Sequence, residues 1–215
     1  DMGVNMAGMA IVDDEACREA SRNEIVRRYF QAAVEHKRNG TGEKVLEKLK
    51  MIMNRAGVTT NLSPARSAAL LKEETTGAPA GAMVLPDGRV VTGKTGNLLG
   101  SASALLMNAL KGVSGVDDEL YVISDDVLEP ICHLKTEHLK SKNPRLHSDE
   151  TLLALSVSSV TNPIAERLID NVDKLRGCDA YFSVIISSTD EKLYRTLGIN
   201  VCCEPKYEQH RYYHK

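Results

Sequence analysis

The chain has 215 residues, 42% of them hydrophobic, enough for a real core in one or two domains. Aromatics are only 4% with no Trp, so that core must come from Leu, Val, Ile, Ala and Met. A net charge of −2, from 27 basic against 29 acidic residues, argues against a broad nucleic-acid surface.

No apolar run approaches the roughly 20 residues that span a bilayer, and the first residues lack the basic and apolar regions of a signal peptide. Cys17, Cys132, Cys178, Cys202 and Cys203 are odd in number and show no CxxC spacing. Reduced, mostly buried thiols in a cytoplasmic protein are expected.

Residues 1–12 are Gly- and Met-rich and suit a loop or a short edge strand. Asp13 and Asp14 then open a long helical pattern that closes with Lys37, Arg38 and Gly40, matching the helix dipole and C-cap preferences. A second helix is predicted from Glu43 to Arg55, stopped by Gly57. A third starts at Ser63-Pro64 and ends before Gly77. The run Gly77-Ala78-Pro79-Ala80-Gly81 marks a domain boundary, giving a helical subdomain at 1–80 and an α/β subdomain at 81–215.

Met83–Leu85 and Arg89–Thr92 read as two strands joined by the turn Pro86-Asp87-Gly88. A helix is predicted from Ser101 to Lys111, a strand from Leu120 to Ile123, and a helix capped by Ser124 or Asp125 with Pro130 near its first turn. Ser148 is expected to cap a helix over 149–160, and Asn162-Pro163 to open another that runs to Leu175. Phe182–Ile186 suits a buried strand, and Asn200–Cys202 a second, joined by a short helix over 190–197. The pattern predicts a mixed sheet between helices, an α/β/α three-layer order that resembles the cytidine-deaminase-like topology. That analogy carries no function by itself.

Gly88-Arg89-Val90-Val91-Thr92-Gly93-Lys94-Thr95 spells GxxxxGK[ST]. A phosphate loop must be free to curl around oxygens and must run straight into a helix. Here the interior residues are β-branched or long, and Gly96 and Gly100 fall where the helix should already run. A hairpin strand is the better reading. The later part, Lys94, Thr95 and Asn97 leading to Ser101, remains a candidate anion site at a helix start.

A zinc deaminase would need H-x-E at that helix start and P-C-x-x-C at the next. Ser101-Ala102-Ser103 and Ser124-Asp125-Asp126 stand there instead, so no metal site is expected. His133-Leu134-Lys135-Thr136-Glu137-His138 is H-x-x-x-E-H, not the inverted zinc-protease H-x-x-E-H. At 100° per residue its two histidines diverge by about 140° in a regular helix. Asn143 to Glu150 is the densest polar cluster. Capping accounts for Ser148, Asp149 and Glu150 but not for Arg145 and His147, which are candidate ligand contacts.

Four blocks then carry a resemblance: DMGVNMAGMAIVDDE, LPDGRVVTGKTGNLLGSASALLMNALK, NPRLHSDETLLALSVSSVTNP and INVCCEPKYEQHRYYHK. Together they resemble the C-terminal half of a bacterial family catalogued as uncharacterised protein family 0371, a domain of unknown function. Members of that family are more than twice this length. The resemblance therefore implies a fragment whose first partner is the missing N-terminal half of the same chain. It places nucleotide or phosphate chemistry largely in the full-length protein, with no cofactor in this portion.

The combined expectation is one wall of a site for a small anionic or nucleotide-like ligand, built from Lys94, Thr95, Asn97, Ser101, Arg145 and His147. The alternative is a noncatalytic scaffold or oligomerisation module with a deaminase-like fold lacking zinc ligands. A homo-oligomer is expected, without nucleic-acid or membrane partners.

Overall fold

The computed structural model describes residues 13–208. The expected loop or edge strand at 1–12 and the polar tail from 209 lie outside the described residues. The chain is α/β. Among the described residues it holds eight helices and one four-stranded mixed sheet. It divides into two compact units, which part between Ser63 and Pro64.

The first unit contains α1 (Asp14–Asn39) and α2 (Glu43–Ala56), followed by a 3-10 turn at Thr60–Leu62. Both helices end as the sequence predicts. Asp13 Oδ1 accepts the Ala16 N–H at 2.9 Å, and Gly40 and Gly57 close the helices with left-handed φ of 67° and 61°. Val26, Phe30, Ala33 and Val34 form the buried stripe of α1, and Met53 is the buried residue of α2.

The second unit begins one helix earlier than the composition shift at Gly77–Gly81 suggests. α3 (Pro64–Thr76) packs on β1 (Ala80–Val84), on β2 (Val90–Lys94) and on β3 (Asp179–Phe182). Its fully buried Ala65 and Ala69 let it lie close to the strands. A helix with so small an apolar face looks like a member of a helical bundle from its sequence, but the sheet is what covers it. The remaining elements are α4 (Ser101–Ser114), α5 (Asp125–His133), α6 (Ser148–Ser159), α7 (Pro163–Asp170), α8 (Ser188–Thr196) and β4 (Asn200–Cys203).

The strand order is β2-β1-β3-β4. β1 pairs antiparallel with both β2 and β3, and β3 pairs parallel with β4. So β2, β3 and β4 all point the same way and β1 alone is reversed. Successive residues of β3 face opposite sides. Tyr181 meets α3 through Arg66, whereas the Phe182 ring stands edge-on to Tyr194 of α8 at 5.5 Å.

The hairpin forms as predicted. Gly88 takes φ 84° in the turn, and Asp87 Oδ1 accepts the Arg89 N–H at 3.0 Å. Gly93 sits inside β2, where a Cβ would fall 2.2 Å from the Leu105 backbone nitrogen. Gly93 is thus a close-packing residue that seats α4 on β2, and the GxxxxGKT string is not a phosphate loop.

Two strand predictions need correction. Leu120–Ile123 pairs with no strand among the described residues. Leu120 and Tyr121 are exposed and Val122 and Ile123 are buried, a two-and-two pattern that no ladder produces. Phe182–Ile186 is not the strand either. The ladder stops at Phe182, and the buried run beyond it bonds irregularly, Ser183 N–H to the Ala80 carbonyl and Ile185 N–H to the Lys206 carbonyl. Pro130 lies inside α5 and not in its first turn. The predicted helix to Leu175 splits into α7 and a 3-10 turn at Val172–Leu175.

Candidate functional site

Because β2, β3 and β4 share a direction, their C-terminal ends lie along one edge of the sheet. In open α/β sheets that edge is where ligands bind. Three helices start there. Gly100 precedes α4, and Leu146, between the loop and α6, bonds to both sides of it. Leu146 N–H donates to the Leu98 carbonyl at 2.8 Å, and the Ser103 hydroxyl donates to the Leu146 carbonyl at 2.7 Å. The Tyr194 hydroxyl of α8 donates to the Ala102 carbonyl at 2.7 Å.

The N-termini of α6 and α8 are joined through Asp190. Its Oδ1 accepts the Ser148 backbone N–H at 2.8 Å and the Ser148 hydroxyl at 2.6 Å. Its Oδ2 accepts the Ser187 hydroxyl at 2.6 Å and lies 3.1 Å from His147 Nδ1. Burial alone pushes the Asp190 carboxyl up, but the bonds from His147, Ser148 and Ser187 and the His147 charge outweigh it and hold the group below the usual carboxylate range.

Serine, histidine and aspartate in one cluster suggest a nucleophile relay, and the geometry rejects it. Ser187 Oγ and Asp190 Oδ2 both face the same ring nitrogen, His147 Nδ1, at 3.2 and 3.1 Å. A relay needs the hydroxyl and the carboxylate on opposite nitrogens. The cluster is a clamp between helix starts.

His147, which the sequence leaves without a structural role, is the N-cap of α6. Its backbone N–H donates to Glu150 Oε2 at 2.7 Å in a capping box, and Ser148 is the first helical residue, not the cap. Arg145 is also engaged, its Nη1 bonding Glu208 Oε1 at 2.8 Å. Lys135, only 6% exposed, completes this network by donating to the Arg145 carbonyl at 2.7 Å and to Glu150 Oε2 at 2.6 Å.

Thr95 and Ser101 are buried, and Thr95 N–H donates to the Pro79 carbonyl. Lys94 and Asn97 stand elsewhere. They line an open groove of about 570 Å³ between the loop after β2, the flank of α4 and the segment 118–128. The six sequence candidates therefore divide, with two on a groove, two buried beside it and two in a structural network.

Sequence reasoning missed Lys111, Asp190, Ser187 and Lys135. Lys111 belongs to α4 and lines the groove, yet is 8% exposed. Its ammonium donates to the Asp118 carbonyl at 2.8 Å. Burial lowers its pKa, against the opposing pull of Asp118 and Asp117. The Ser187-x-x-Asp190 spacing was a visible capping signal. Lys111, in contrast, looks like any basic residue in a last helical turn.

Among the described residues no group of three or more His, Cys, Asp or Glu side chains could hold a metal ion. His133 and His138 do approach, with ring centroids 6.1 Å apart, because Leu134–His138 forms a π-turn instead of a regular helix.

The family model described as the C-terminal domain of unknown function DUF1846 matches residues 61–213, and its N-terminal counterpart matches residues 1–57. The chain belongs to this family. The two matches meet next to the Ser63/Pro64 division of the structure. Among curated relatives, a UPF0371 protein of Corynebacterium efficiens is 49% identical over all 215 residues of this chain, which cover 43% of that relative. One from Corynebacterium diphtheriae is 45% identical, again over the whole chain and 43% of the relative. One from Streptococcus pneumoniae is 43% identical over the whole chain and 44% of the relative. The DUF1846 chain described here thus spans less than half the length of these relatives.

Proposed function

We propose that the second unit contributes one wall of a site for a small anionic or nucleotide-like ligand, within a larger protein. The observation that carries this is the groove of about 570 Å³ that Lys94 and Asn97 line, with the buried Lys111 ammonium on its wall. Its size falls in the range of small-molecule sites, roughly 300–1,000 Å³. Lys94 is free to meet a phosphate or carboxylate as a point charge, and Asn97 offers both a donor and an acceptor. Calorimetry of the 215-residue chain with inorganic phosphate, AMP and ATP tests the reading. Heat that vanishes in Lys94→Ala is expected. No heat with any of the three, together with no thermal shift, overturns a phosphate or nucleotide as the ligand of the groove.

A noncatalytic scaffold is the second reading. Leu153, Val157 and Val160, at 68%, 69% and 83% exposure, form an apolar stripe along and just beyond α6. The strand order with β1 alone reversed favours a deaminase-like arrangement, and the serines at the α4 start take the place of its zinc ligands. Light scattering separates the two readings, since a scaffold of this kind self-associates and loses association in Val157→Asp. A cytoplasmic location fits both. No helix among the described residues is long and apolar enough to cross a membrane.

A further inference from the structure

The groove beside α4 carries charge of both signs. Lys94 and Lys111 stand on it, and so do Asp118, Glu119 and Asp125. A purely anionic ligand of any size would meet three carboxylates there. A purely cationic one would meet two ammonium groups. Leu98, Met107 and Leu128 add apolar surface to the same groove.

Lys111 decides where the negative end goes. It is more than nine-tenths buried, and among the described residues its ammonium makes one hydrogen bond, to the Asp118 carbonyl, with Asp118 and Asp117 acting on it as nearby charges and not as direct ion pairs. An ammonium has three donors. Desolvating it without a directly bonded anionic partner is costly, and burial outweighs the pull of Asp118 and Asp117. A ligand carboxylate arriving from the groove supplies that partner. The Asp118 side chain, on the residue whose carbonyl already holds Lys111, is exposed. A carboxylate there draws a cationic group to the same part of the groove, beside the ammonium whose partner is the Asp118 carbonyl.

We propose that the groove takes a zwitterion, an α-amino acid with an apolar side chain. Its carboxylate sits on Lys111 with Lys94 nearby, its ammonium faces Asp118, and its side chain lies on Leu98, Met107 and Leu128. This deepens the small-ligand reading above and rests on the groove being that site. The remaining acids, Glu119 and Asp125, and the open mouth suit a free amino acid better than a nucleotide, whose phosphates would crowd them.

The test is calorimetry on the full 215-residue chain with leucine, N-acetyl-leucine, leucinamide, phosphate and AMP. Leucine is expected to bind, and either blocked form to bind at least tenfold more weakly. Lys111→Met and Asp118→Asn are each expected to weaken leucine at least tenfold. Lys111→Met keeps the chain length of the side chain and removes a poorly paired charge. Asp118→Asn is an exposed change that leaves the fold intact even where Lys111→Met does not. N-acetyl-leucine or AMP binding as well as leucine or better overturns the zwitterion and leaves the anionic site standing. Leucinamide binding as well as leucine overturns the carboxylate's place on Lys111. Silence from all five probes overturns the inference and the site together.

Discussion

His147 Nδ1 lies 3.1 Å from Asp190 Oδ2, although the two residues are 43 apart in the chain. The contact ties the cap of α6 to the first turn of α8, and Ser148 and Ser187 add three more donors to the same carboxylate. A buried carboxylate with every oxygen engaged holds its neighbours in one arrangement. Removing it strands the donors of the fully buried Ser148.

Asp190→Ala is therefore expected to cost about 3 kcal/mol, since it leaves the partners of a buried charge unmatched. Asp190→Asn keeps an acceptor and costs less. Urea unfolding monitored by circular dichroism measures both. Equal loss in the two variants would show that the charge, not the hydrogen-bond geometry, carries the effect.

The same carboxylate predicts a pH dependence. Its folded value is depressed, because the bonds and charge of its partners outweigh burial. The stabilisation is then complete above the unfolded carboxylate value of about 3.9 and is lost as pH falls through the folded value. Between pH 7 and pH 5 the gap between wild type and Asp190→Asn is expected to stay constant. Below pH ~4 it is expected to narrow. A gap that narrows between pH 7 and pH 5 would assign the titration to another group.

Gly93→Ala is expected to destabilise the second unit by about 3 kcal/mol, at the upper end of overpacking effects. Its new Cβ would lie 2.2 Å from the Leu105 backbone nitrogen, and backbone cannot swing aside as a side chain can. Gly96→Ala is the control. Its nearest neighbour stands 4.0 Å away, and the change is expected to stay within ~0.5 kcal/mol. Thermal unfolding of the pair reads the difference.

These positions also show how far the sequence was legible. Gly88 and Gly93 could be assigned to a hairpin because β-branched residues between them fit a strand and not a phosphate loop. Helix ends were legible wherever the signal was local, as at Asp13, Gly40, Gly57 and Pro64. Partners distant in the chain were not. Nothing near His147 reveals Asp190, and nothing near Arg145 reveals Glu208. Hence a capped, paired segment looked like an unexplained ligand cluster. Leu120–Ile123 looked like a strand because four apolar residues fit any buried segment, and only pairing distinguishes a ladder from a loop. The division before Pro64 was hidden for a similar reason, since the small apolar face of α3 does not say what will cover it.

Arg66 and Glu204 give a cycle with an internal reference. Arg66 Nη2 lies 2.6 Å from Glu204 Oε1, and the two side chains are 20% and 16% exposed. The Tyr181 hydroxyl joins them, 3.3 Å from Arg66 Nε. Lys206 and Glu73 approach as closely, at 2.7 Å, but Lys206 is 50% exposed. Both pairs fasten the segment after β4 to α3. Double-mutant cycles are expected to give a coupling of about 1–2 kcal/mol for Arg66–Glu204 and under ~1 kcal/mol for the wetter pair. Similar values for both would mean that solvent reaches Arg66 freely.

The division of the six sequence candidates predicts a division of phenotypes. Arg145→Ala breaks a pair whose side chains are 17% and 14% exposed, and it is expected to cost about 2 kcal/mol of stability. It is expected to leave the ligand affinity of the folded chain within twofold. Lys94→Ala and Asn97→Ala touch an open groove and are expected to change stability by under ~0.5 kcal/mol. They are expected to weaken whichever small ligand binds there by at least fivefold. Denaturation and calorimetry on the three variants sort them. If Arg145→Ala abolishes binding at unchanged stability, the ligand sits at the helix starts joined by Asp190, and the groove beside α4 is only a surface recess.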